Sequence, residues 1–306
     1  MDQIAVVPLG ISAGTPTRDR HVSSTAVVLD GRVVLFDCGE GTQYQLMRAP
    51  FRWSGLELVC VTHLHGDHVY GLPGLLGTMT LHGREEPLTV CGPPGLRAYL
   101  EGVFETTRLR RAYPLEIVEV GEGFSLPRDG YAVRAARLEH SVPTFAFLLV
   151  EDDRPGRFDV AAARALGVPD GPLFGRLQAG EDIDLLDGKR VAAAGVTGAP
   201  RPGRRIAYCL DTRPCDAAVE LARGASILIH EATYGEDLRD EAAARAHSTA
   251  AEAAEVAKRA GAARLLLTHF SPRYTEPEIL AAEARRIFTM TDAARELQPV
   301  PLRTEP

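Results

Sequence analysis

The segment from His63 to His68 carries three histidines and one aspartate within six consecutive positions. It follows a short apolar run that is typical of a buried strand. Imidazole nitrogen and carboxylate oxygen are ligands that suit zinc, and catalytic zinc sites keep one position open for water. The alternation along the loop predicts that His63 and His65 share one metal while Asp67 and His68 turn toward a neighbouring one. The spacing therefore predicts a dinuclear metal site.

Such a site needs further ligands, and the candidates are polar residues placed where apolar strands end. His140, Asp211 and His269 each have this position in the chain. Because open α/β sheets place their sites at strand ends, we expect these side chains to reach the same rim as the histidine loop. Asp211 could bridge the metals through its two carboxylate oxygens. Taken singly, each of the three could instead be a capping or solvent-facing residue.

The composition is that of an ordinary globular protein, with 306 residues, 45% of them hydrophobic, and a formal net charge of −7. The negative charge argues only weakly against a nucleic-acid partner, because binding depends on a local basic surface. No apolar run approaches the ~18 residues of a membrane span, so no membrane partner is expected. The segment Met1 to Gln3 carries no basic residue, so a secretory signal is not expected. Five cysteines without a Cys-x-x-Cys pair indicate core residues of a reduced, cytoplasmic protein.

Short apolar strands alternate with helical stretches along most of the chain, which predicts an α/β fold. A chain of 306 residues could form two domains, but large α/β units often reach this size as one, and we expect a single domain spanning residues 1–306. Near the C-terminus, the pattern predicts a helix from Glu276 to Phe288. Pro299 and Pro301 then indicate a loose tail.

The segment from Asp152 to Pro202 interrupts this alternation and is richer in proline, glycine and charge than its surroundings. A helix-like stretch, Ala161 to Leu166, leads into the turn-rich run Gly167 to Leu173. Binding segments are often carried on such excursions, but an ordinary surface insertion would have the same composition. Composition alone leaves both interpretations open.

Motifs occur at Gly10 to Thr17, Phe36 to Gln43, Thr62 to His68 with Gly71 to Gly74, His230 to Thr233, Ala246 to Thr249, and His269 to Tyr274. Together they resemble the motifs of the ribonuclease Z family, the tRNA 3′-processing endonucleases of the metallo-β-lactamase superfamily. The histidine loop by itself identifies only the superfamily, whose members cleave lactams, thioesters and phosphodiesters. The other motifs point to the tRNA branch and span nearly the whole chain.

The resemblance implies an αββα sandwich with its metals at one edge, acting as a homodimer on precursor tRNA. It implies an endoribonuclease that removes the 3′ trailer by cutting after the discriminator nucleotide, with two Zn²⁺ per subunit. The implied ligands are His63, His65 and His140 for one zinc, Asp67, His68 and His269 for the other, and Asp211 as the bridge.

The resemblance also gives the interrupting segment a role. Residues 152–202 resemble the family's protruding, flexible arm, an exosite that grips the tRNA elbow away from the cut. Gly171 and Pro172 match its Gly-Pro motif. The arm is therefore expected to bind substrate rather than to contribute to the chemistry.

One loop departs from the family pattern. The family usually reads Pro-Thr-Lys-x-Arg-Asn after the first strand, whereas this chain has Arg18 in place of the lysine and His21 in place of the asparagine. The loop is associated with sensing the RNA end, which makes Arg18 and Arg20 candidate substrate-binding residues. The treatment of a 3′ CCA terminus is the property that this departure affects.

Two zinc ions about 3.5–4 Å apart can clamp an in-line phosphoryl displacement, in which a metal-bound hydroxide attacks phosphorus. Asp67 could ligate and also orient or deprotonate the attacking water. By resemblance, His247 assists the leaving group and Glu231 orients it, although a polar helix-capping residue would also suit position 247. Arg273 could clamp a phosphate through its guanidinium group, or could be a surface arginine.

Two rival interpretations stay open. A generic small-molecule phosphodiesterase of the same fold would share every metal ligand, so only the substrate separates it from the tRNA enzyme. An inactive RNA-binding relative is the second, but the complete ligand set argues against it because degenerate relatives lose ligands.

Overall fold

The computed structural model of this chain describes residues 4–302 and has the α/β architecture that the sequence predicts. The expectation about a secretory signal depends on Met1 to Gln3, which lie outside the described residues. Between residues 4 and 302, no helix is long and apolar enough to span a membrane.

Two seven-stranded sheets and one short hairpin contain the strands. In chain order these are β1 (Ile4–Gly10), β2 (Ser24–Leu29), β3 (Arg32–Phe36), β4 (Leu56–Cys60), β5 (Leu88–Gly92), β6 (Leu115–Glu119), β7 (Ser125–Arg128), β8 (Tyr131–Arg137), β9 (Phe145–Glu151), β10 (Ile183–Asp184), β11 (Arg190–Val191), β12 (Arg205–Cys209), β13 (Ile227–Glu231), β14 (Leu265–Thr268), β15 (Thr291–Ala293) and β16 (Val300–Leu302). The first sheet has the order β16-β1-β2-β3-β4-β5-β6, and the second has the order β15-β14-β13-β12-β9-β8-β7.

The helices connect these strands. They are α1 (Thr42–Arg48), α2 (Gly66–Val69), α3 (Gly71–Leu81), α4 (Leu96–Thr107), α5 (Val160–Ala165), α6 (Pro172–Gln178), α7 (Asp216–Leu221), α8 (Arg239–Arg245), α9 (Ala250–Ala260) and α10 (Glu278–Ala284). Leucines of α1, α3 and α4 share one apolar core with the first sheet, and α9 packs on β13 and β14 of the second.

The two sheets face each other through aromatic side chains. Phe36 of β3 stacks on Tyr208 of β12 with ring centroids 5.1 Å apart, and Phe147 of β9 lies 6.2 Å from Phe36. All three rings are fully buried or nearly so. With helices on the outer faces, this gives the αββα sandwich that the resemblance implies.

The described chain folds into two compact units. The first comprises residues 4–127, 133–149 and 205–302, and the second comprises residues 128–132 and 150–204. The second unit contains α5, α6 and the β10–β11 hairpin around a small core of its own. That core consists of Ala163, Val168, Leu177, Ile183, Val191, Ala193 and Val196.

Two expectations near the C-terminus are wrong. The tail is not loose at Val300–Leu302, because this segment forms β16 and pairs with β1, with Pro301 opposite Ala5. Proline has no N–H to donate, but it is tolerated on an edge strand, and β16 is the edge of its sheet. The helix expected from Glu276 to Phe288 is shorter, spanning Glu278–Ala284, and continues as hydrogen-bonded turns.

Candidate metal centre

Parallel strands of both sheets end at the metal centre. In the first sheet, β3 is followed by Asp37 and β4 by the histidine loop. In the second sheet, β12, β13 and β14 are parallel. Asp211 follows β12, Glu231 is the last residue of β13, and His269 follows β14. The carboxyl ends of parallel strands meet at one edge, so residues far apart in the chain come together there.

The first donor cluster consists of His63, His65, His140 and Asp211. Nε2 of His63 lies 3.0 Å from Nδ1 of His65, and Nε2 of His140 lies 3.4 Å from that same Nδ1. Asp211 Oδ2 approaches the Nε2 atoms of His63 and His140 at 3.5 and 3.7 Å. The structure therefore brings three imidazoles and one carboxylate oxygen around one point.

The second donor cluster consists of Asp67, His68 and His269, with Asp211 beside it. Nε2 of His68 lies 3.4 Å from Nε2 of His269, and Asp67 Oδ2 lies 3.4 and 3.5 Å from these two nitrogens. Asp211 Oδ1 completes the cluster at 3.3 and 3.1 Å from the same nitrogens. The two oxygens of Asp211 thus face different clusters, as expected of a bridging ligand.

The spacing of these atoms fits a metal better than it fits a hydrogen-bond network. Ligands at about 2.0–2.1 Å from a tetrahedral zinc lie about 3.3 Å from one another, which is the range seen in both clusters. Asp211 is 3% exposed, and its Oδ1 has no hydrogen-bond partner among the described residues. A buried carboxylate oxygen without a partner is costly, and a bound cation would satisfy it. The residues present therefore fit two metal ions.

The electrostatics of the carboxylates agree with this role. Burial favours the neutral form of Asp211, but the neighbouring charges of His269, His68 and His63 outweigh it and hold its pKa well below the usual range. Burial opposes ionisation of Asp67 too, yet the charge of His68 and hydrogen bonds from His269 and His68 depress its pKa strongly. Both carboxylates are thus anionic, as metal ligands must be.

Three of the donor histidines are oriented through the nitrogen that points away from the clusters. His68 Nδ1 donates to Asp37 Oδ2 at 2.8 Å, His269 Nδ1 contacts Thr233 Oγ1 at 2.8 Å, and His140 Nδ1 donates to the Ala246 carbonyl at 2.9 Å. Such contacts set the tautomer and leave Nε2 to the metal. Asp37 is itself fixed, because it also accepts hydrogen bonds from the backbone N–H and hydroxyl of Thr62 and from the Tyr208 hydroxyl.

His247 and Glu231 form a dyad beside both clusters. His247 Nδ1 lies 3.0 Å from Glu231 Oε1, and its ring centroid is 5.2 Å from that of His140 and 5.6 Å from that of His269. Glu231 is fully buried and accepts from the Thr212 backbone N–H at 2.7 Å. Burial alone would lower the pKa of His247, but the charge and hydrogen bond of Glu231 raise it to about 9.

The arginines expected to bind substrate do not touch the donor clusters. Arg273 pairs with Glu241 at 3.4 Å, and its guanidinium lies over the ring of Tyr234. Arg20 reaches the Pro272 carbonyl at 3.5 Å, and burial lowers its pKa. Arg18 is exposed on the same loop.

The Gly-Pro motif lies in the second unit. Pro172 is the first residue of α6, and Gly171 precedes it with a φ of 140°, a conformation that favours glycine. Both residues are exposed.

Sequence reasoning did not identify three groups that orient the centre. Asp37 directly follows a strand, so the rule that selected Asp211 and His269 would also have selected it. Thr233 is the last residue of the motif His230 to Thr233, but its residue type does not indicate a contact with His269. The third is the backbone N–H of Gly14, which donates to Asp67 Oδ2 at 2.7 Å and cannot be recognised from residue type.

Known proteins resemble this chain along nearly its whole length. The metallo-beta-lactamase superfamily profile matches residues 17–156, and a beta-lactamase superfamily domain profile matches residues 176–270. Ribonuclease Z of Salinibacter ruber is 48% identical over 301 residues, covering 97% of this chain and 94% of that protein. Ribonuclease Z of Brevibacillus brevis is 44% identical over 306 residues, covering 97% and 96%.

A solved structure agrees with these relatives. The crystal structure of human tRNase Z, short form, matches with a TM-score of 0.70 and 28% identity, covering 98% of this chain and 100% of that chain. The prediction of a metallo-β-lactamase fold is confirmed. The motif resemblance is confirmed as well: the chain belongs to the ribonuclease Z family.

Proposed function

We propose that this chain removes the 3′ trailer of precursor tRNA by cutting after the discriminator nucleotide, with two zinc ions per subunit. The observation that carries the proposal is the pair of donor clusters that share Asp211, in a chain of this family. When bound, two zinc ions would stabilise charge on the scissile phosphate and lower the pKa of a water toward ~7.

The proposed ligand sets follow the two clusters. His63, His65 and His140 would hold one ion, Asp67, His68 and His269 would hold the other, and Asp211 would contribute one oxygen to each set. Nitrogen and oxygen donors at these spacings suit zinc. The hydrogen bonds to the outer nitrogens of His68, His140 and His269 support the assignment, because ligating histidines are usually oriented in this way.

In the proposed mechanism, Asp67 and His247 handle the protons. Asp67 keeps one oxygen in the second cluster, and its other oxygen orients and deprotonates the attacking water. His247 has Nδ1 occupied by Glu231, which leaves Nε2 to donate a proton to the departing 3′ oxygen. Glu231 favours the protonated form of His247, so the acid is charged at neutral pH. Such an acid is placed as general acid catalysis requires.

We propose that Arg18, Arg20 and Arg273 bind RNA phosphates near the cut. The Arg273–Glu241 pair supports this assignment, because its side chains are 42% and 33% exposed. Exposed ion pairs are weak, so a phosphate can replace Glu241 at little cost. Arg18 and Arg20 lie on the loop whose Gly14 N–H contacts Asp67, which places them on the same chain segment as a catalytic contact.

Gly171 and Pro172 are proposed to contact the tRNA elbow as part of the arm, residues 152–202. Their exposure leaves them accessible to RNA. The separate apolar core of the second unit supports the proposal, because it gives a binding surface a rigid base.

A cytoplasmic homodimer is proposed as the functional form. Large nonpolar side chains are exposed on and next to α1 and α3, which pack beside each other: Tyr44, Met47, Tyr70 and Leu81. Exposed nonpolar groups of this kind are typical of protein interfaces. The five cysteines are free and buried, as expected in a reducing compartment. Sedimentation of Met47→Glu should give monomer where the unchanged protein gives dimer.

The function is tested by single-turnover cleavage of a 3′-extended precursor tRNA by the zinc-loaded protein. We expect a single cut just after the discriminator nucleotide, mapped by product length. Hydrolysis of a small chromogenic phosphodiester without any tRNA cleavage would contradict the proposal and favour a generic phosphodiesterase.

A further inference from the structure

The loop between β1 and β2, residues 11–23 and here called the first loop, contacts the metal centre directly. Its Gly14 N–H donates to Asp67 Oδ2, the oxygen that faces His68 and His269. The loop is also tied to the residue after His269, because Ala13 N donates to the Phe270 carbonyl at 3.0 Å. The position of the first loop therefore determines one hydrogen bond to a proposed metal ligand.

His21, near the other end of this loop, is hydrogen-bonded twice to the carboxylate of Glu296. Glu296 Oε1 accepts from the backbone N–H of His21 at 2.6 Å, and Glu296 Oε2 accepts from His21 Nδ1 at 2.8 Å. Oε2 also accepts from Gln45 Nε2 at 2.8 Å. Gln45 is fully buried and donates again to the Leu9 carbonyl, so Glu296 is fixed to the body of the protein.

The backbone of His21 is also hydrogen-bonded to the start of the loop. Its carbonyl accepts from the backbone N–H groups of Ile11 and Ser12 at 2.9 and 2.8 Å. The segment that leads to Gly14 is thus joined to His21, and His21 is joined to Glu296.

We propose that His21 and Glu296 form a clamp whose role is to position Asp67 through the Gly14 N–H. Neither residue lies in a donor cluster, so both are positioning residues. This proposal deepens the proposed function. It rests on that function for the role of Asp67 in tRNA cleavage, whereas the contact between Gly14 and Asp67 does not depend on the substrate. A hydrogen bond to a ligating carboxylate affects how tightly the metal binds. The effect of the clamp can therefore be measured as Zn²⁺ affinity, without RNA.

The clamp also explains the departure from the family pattern at position 21. In both histidine and asparagine, a nitrogen donor, Nδ1 or Nδ2, is bonded directly to Cγ. A histidine can therefore give Glu296 Oε2 the same hydrogen bond that an asparagine gives. His21→Asn should preserve the clamp, whereas His21→Ala removes the side-chain donor.

The test compares His21→Ala, His21→Asn and Glu296→Gln, with His82→Asn as the matched control on an exposed histidine. Hydrogen–deuterium exchange of residues 11–23 reports the loop, and competition with a chromogenic chelator reports Zn²⁺ affinity. For His21→Ala and Glu296→Gln we expect exchange about tenfold faster and the weaker of the two Zn²⁺ affinities reduced by about tenfold. His21→Asn and His82→Asn should match the unchanged protein.

Unchanged exchange and unchanged Zn²⁺ affinity in Glu296→Gln would overturn the proposal, and this variant serves even if His21→Ala does not fold. Equal damage in His21→Asn and His21→Ala would also overturn it, because the donor would then not matter. Faster exchange with normal Zn²⁺ affinity would show an ordinary structural anchor and contradict the link to Asp67. Neither readout uses RNA, so failure of the tRNA assignment would leave these outcomes interpretable.

Discussion

Four residues at the centre adopt left-handed backbone conformations that side chains usually avoid. Asp37, Asp211, Ala246 and His269 have φ between 51° and 59°. Such conformations cost about 1 kcal/mol or more in a residue with a Cβ, and persist only where the surroundings enforce them. Asp37, Ala246 and His269 directly follow a strand or helix, and Asp211 lies two residues beyond the end of β12, so each turns the chain at the site. The strain is therefore located where the ligands and their hydrogen-bond partners must be aimed.

Replacing His247 by Ala should reduce the cleavage rate most for substrates whose leaving group needs a proton. A general acid contributes about 100-fold to 10,000-fold, so precursor tRNA cleavage should fall by that order. p-Nitrophenolate leaves without a proton, so hydrolysis of bis(p-nitrophenyl) phosphate should fall much less. Single-turnover rates on both substrates measure the difference. Equal loss on both would contradict the leaving-group role, and His82→Ala is the matched control on an exposed histidine.

Replacing Asp67 by Ala should abolish cleavage, with a loss of at least about 1,000-fold, because one residue supplies both a ligand and the proton acceptor. The fold and much of the tRNA binding should remain, since Asp67 lies on the short helix α2 at the rim. Thermal unfolding and filter binding check these two properties. Cleavage near the original rate would refute the assignment of this site.

The sequence could predict the ligands at this scale because each follows a recognisable apolar strand. The groups that orient them were harder to predict, since their partners are distant in sequence. Thr233 contacts His269 and Asp37 contacts His68 across gaps of 36 and 31 residues. Only the folded sheet order brings these pairs together.

At the scale of the elements, prediction succeeded where a strand or helix is stabilised by its own pattern. The apolar run before the histidine segment was expected to be a buried strand, and it forms β4 (Leu56–Cys60). It failed where pairing with a distant segment decides the structure. Val300–Leu302 contains a proline and becomes a strand because β1 offers an unpaired edge. The β10–β11 hairpin has only two residues in each strand, too few for a periodic signal.

The ion pair between Glu151 and Arg204 closes the chain ends of the second unit. Arg204 donates to both carboxylate oxygens, at 2.8 and 2.5 Å, and the side chains are 14% and 5% exposed. Replacing Glu151 by Gln should reduce the free energy of unfolding by about 2 kcal/mol at pH 7, because a charged hydrogen-bonded pair is lost. Urea unfolding measures this change. Asp170→Asn, which breaks the exposed pair with Arg164, should have little effect.

The pH dependence of this loss follows from the direction of the shift. Burial would raise the pKa of Glu151, but hydrogen bonds from Arg204 outweigh it and the pKa is lowered. A depressed pKa stabilises the fold above the unfolded-state value of about 4.3. The stabilisation is lost as pH falls through the folded-state pKa. The difference between Glu151→Gln and the unchanged protein should therefore persist from pH 7 to pH 5 and shrink below about pH 4. A constant difference at all pH values would contradict the ion-pair explanation.

At the scale of the whole molecule, the two units have different tasks under the proposed function. All the donor residues belong to the first unit, whereas Gly171 and Pro172 belong to the second. The sequence predicted the break in pattern at Asp152 from its proline, glycine and charge content. It could not predict a separate core there, because seven small or branched side chains scattered over 34 residues, from Ala163 to Val196, carry no clear period.

Deleting residues 159–198 should separate binding from chemistry. The ends to be joined are close, because Gly198 N donates to the Arg157 carbonyl at 2.8 Å and Phe158 pairs with Thr197. The deletion removes all seven residues of the second core, and Phe158 is the one described side chain packed against that core that remains. We expect tRNA affinity to fall by about 100-fold or more, since a second contact point adds avidity of that order. Hydrolysis of bis(p-nitrophenyl) phosphate should be unchanged, because every proposed ligand is retained. Loss of both activities together would instead make this segment part of the catalytic body.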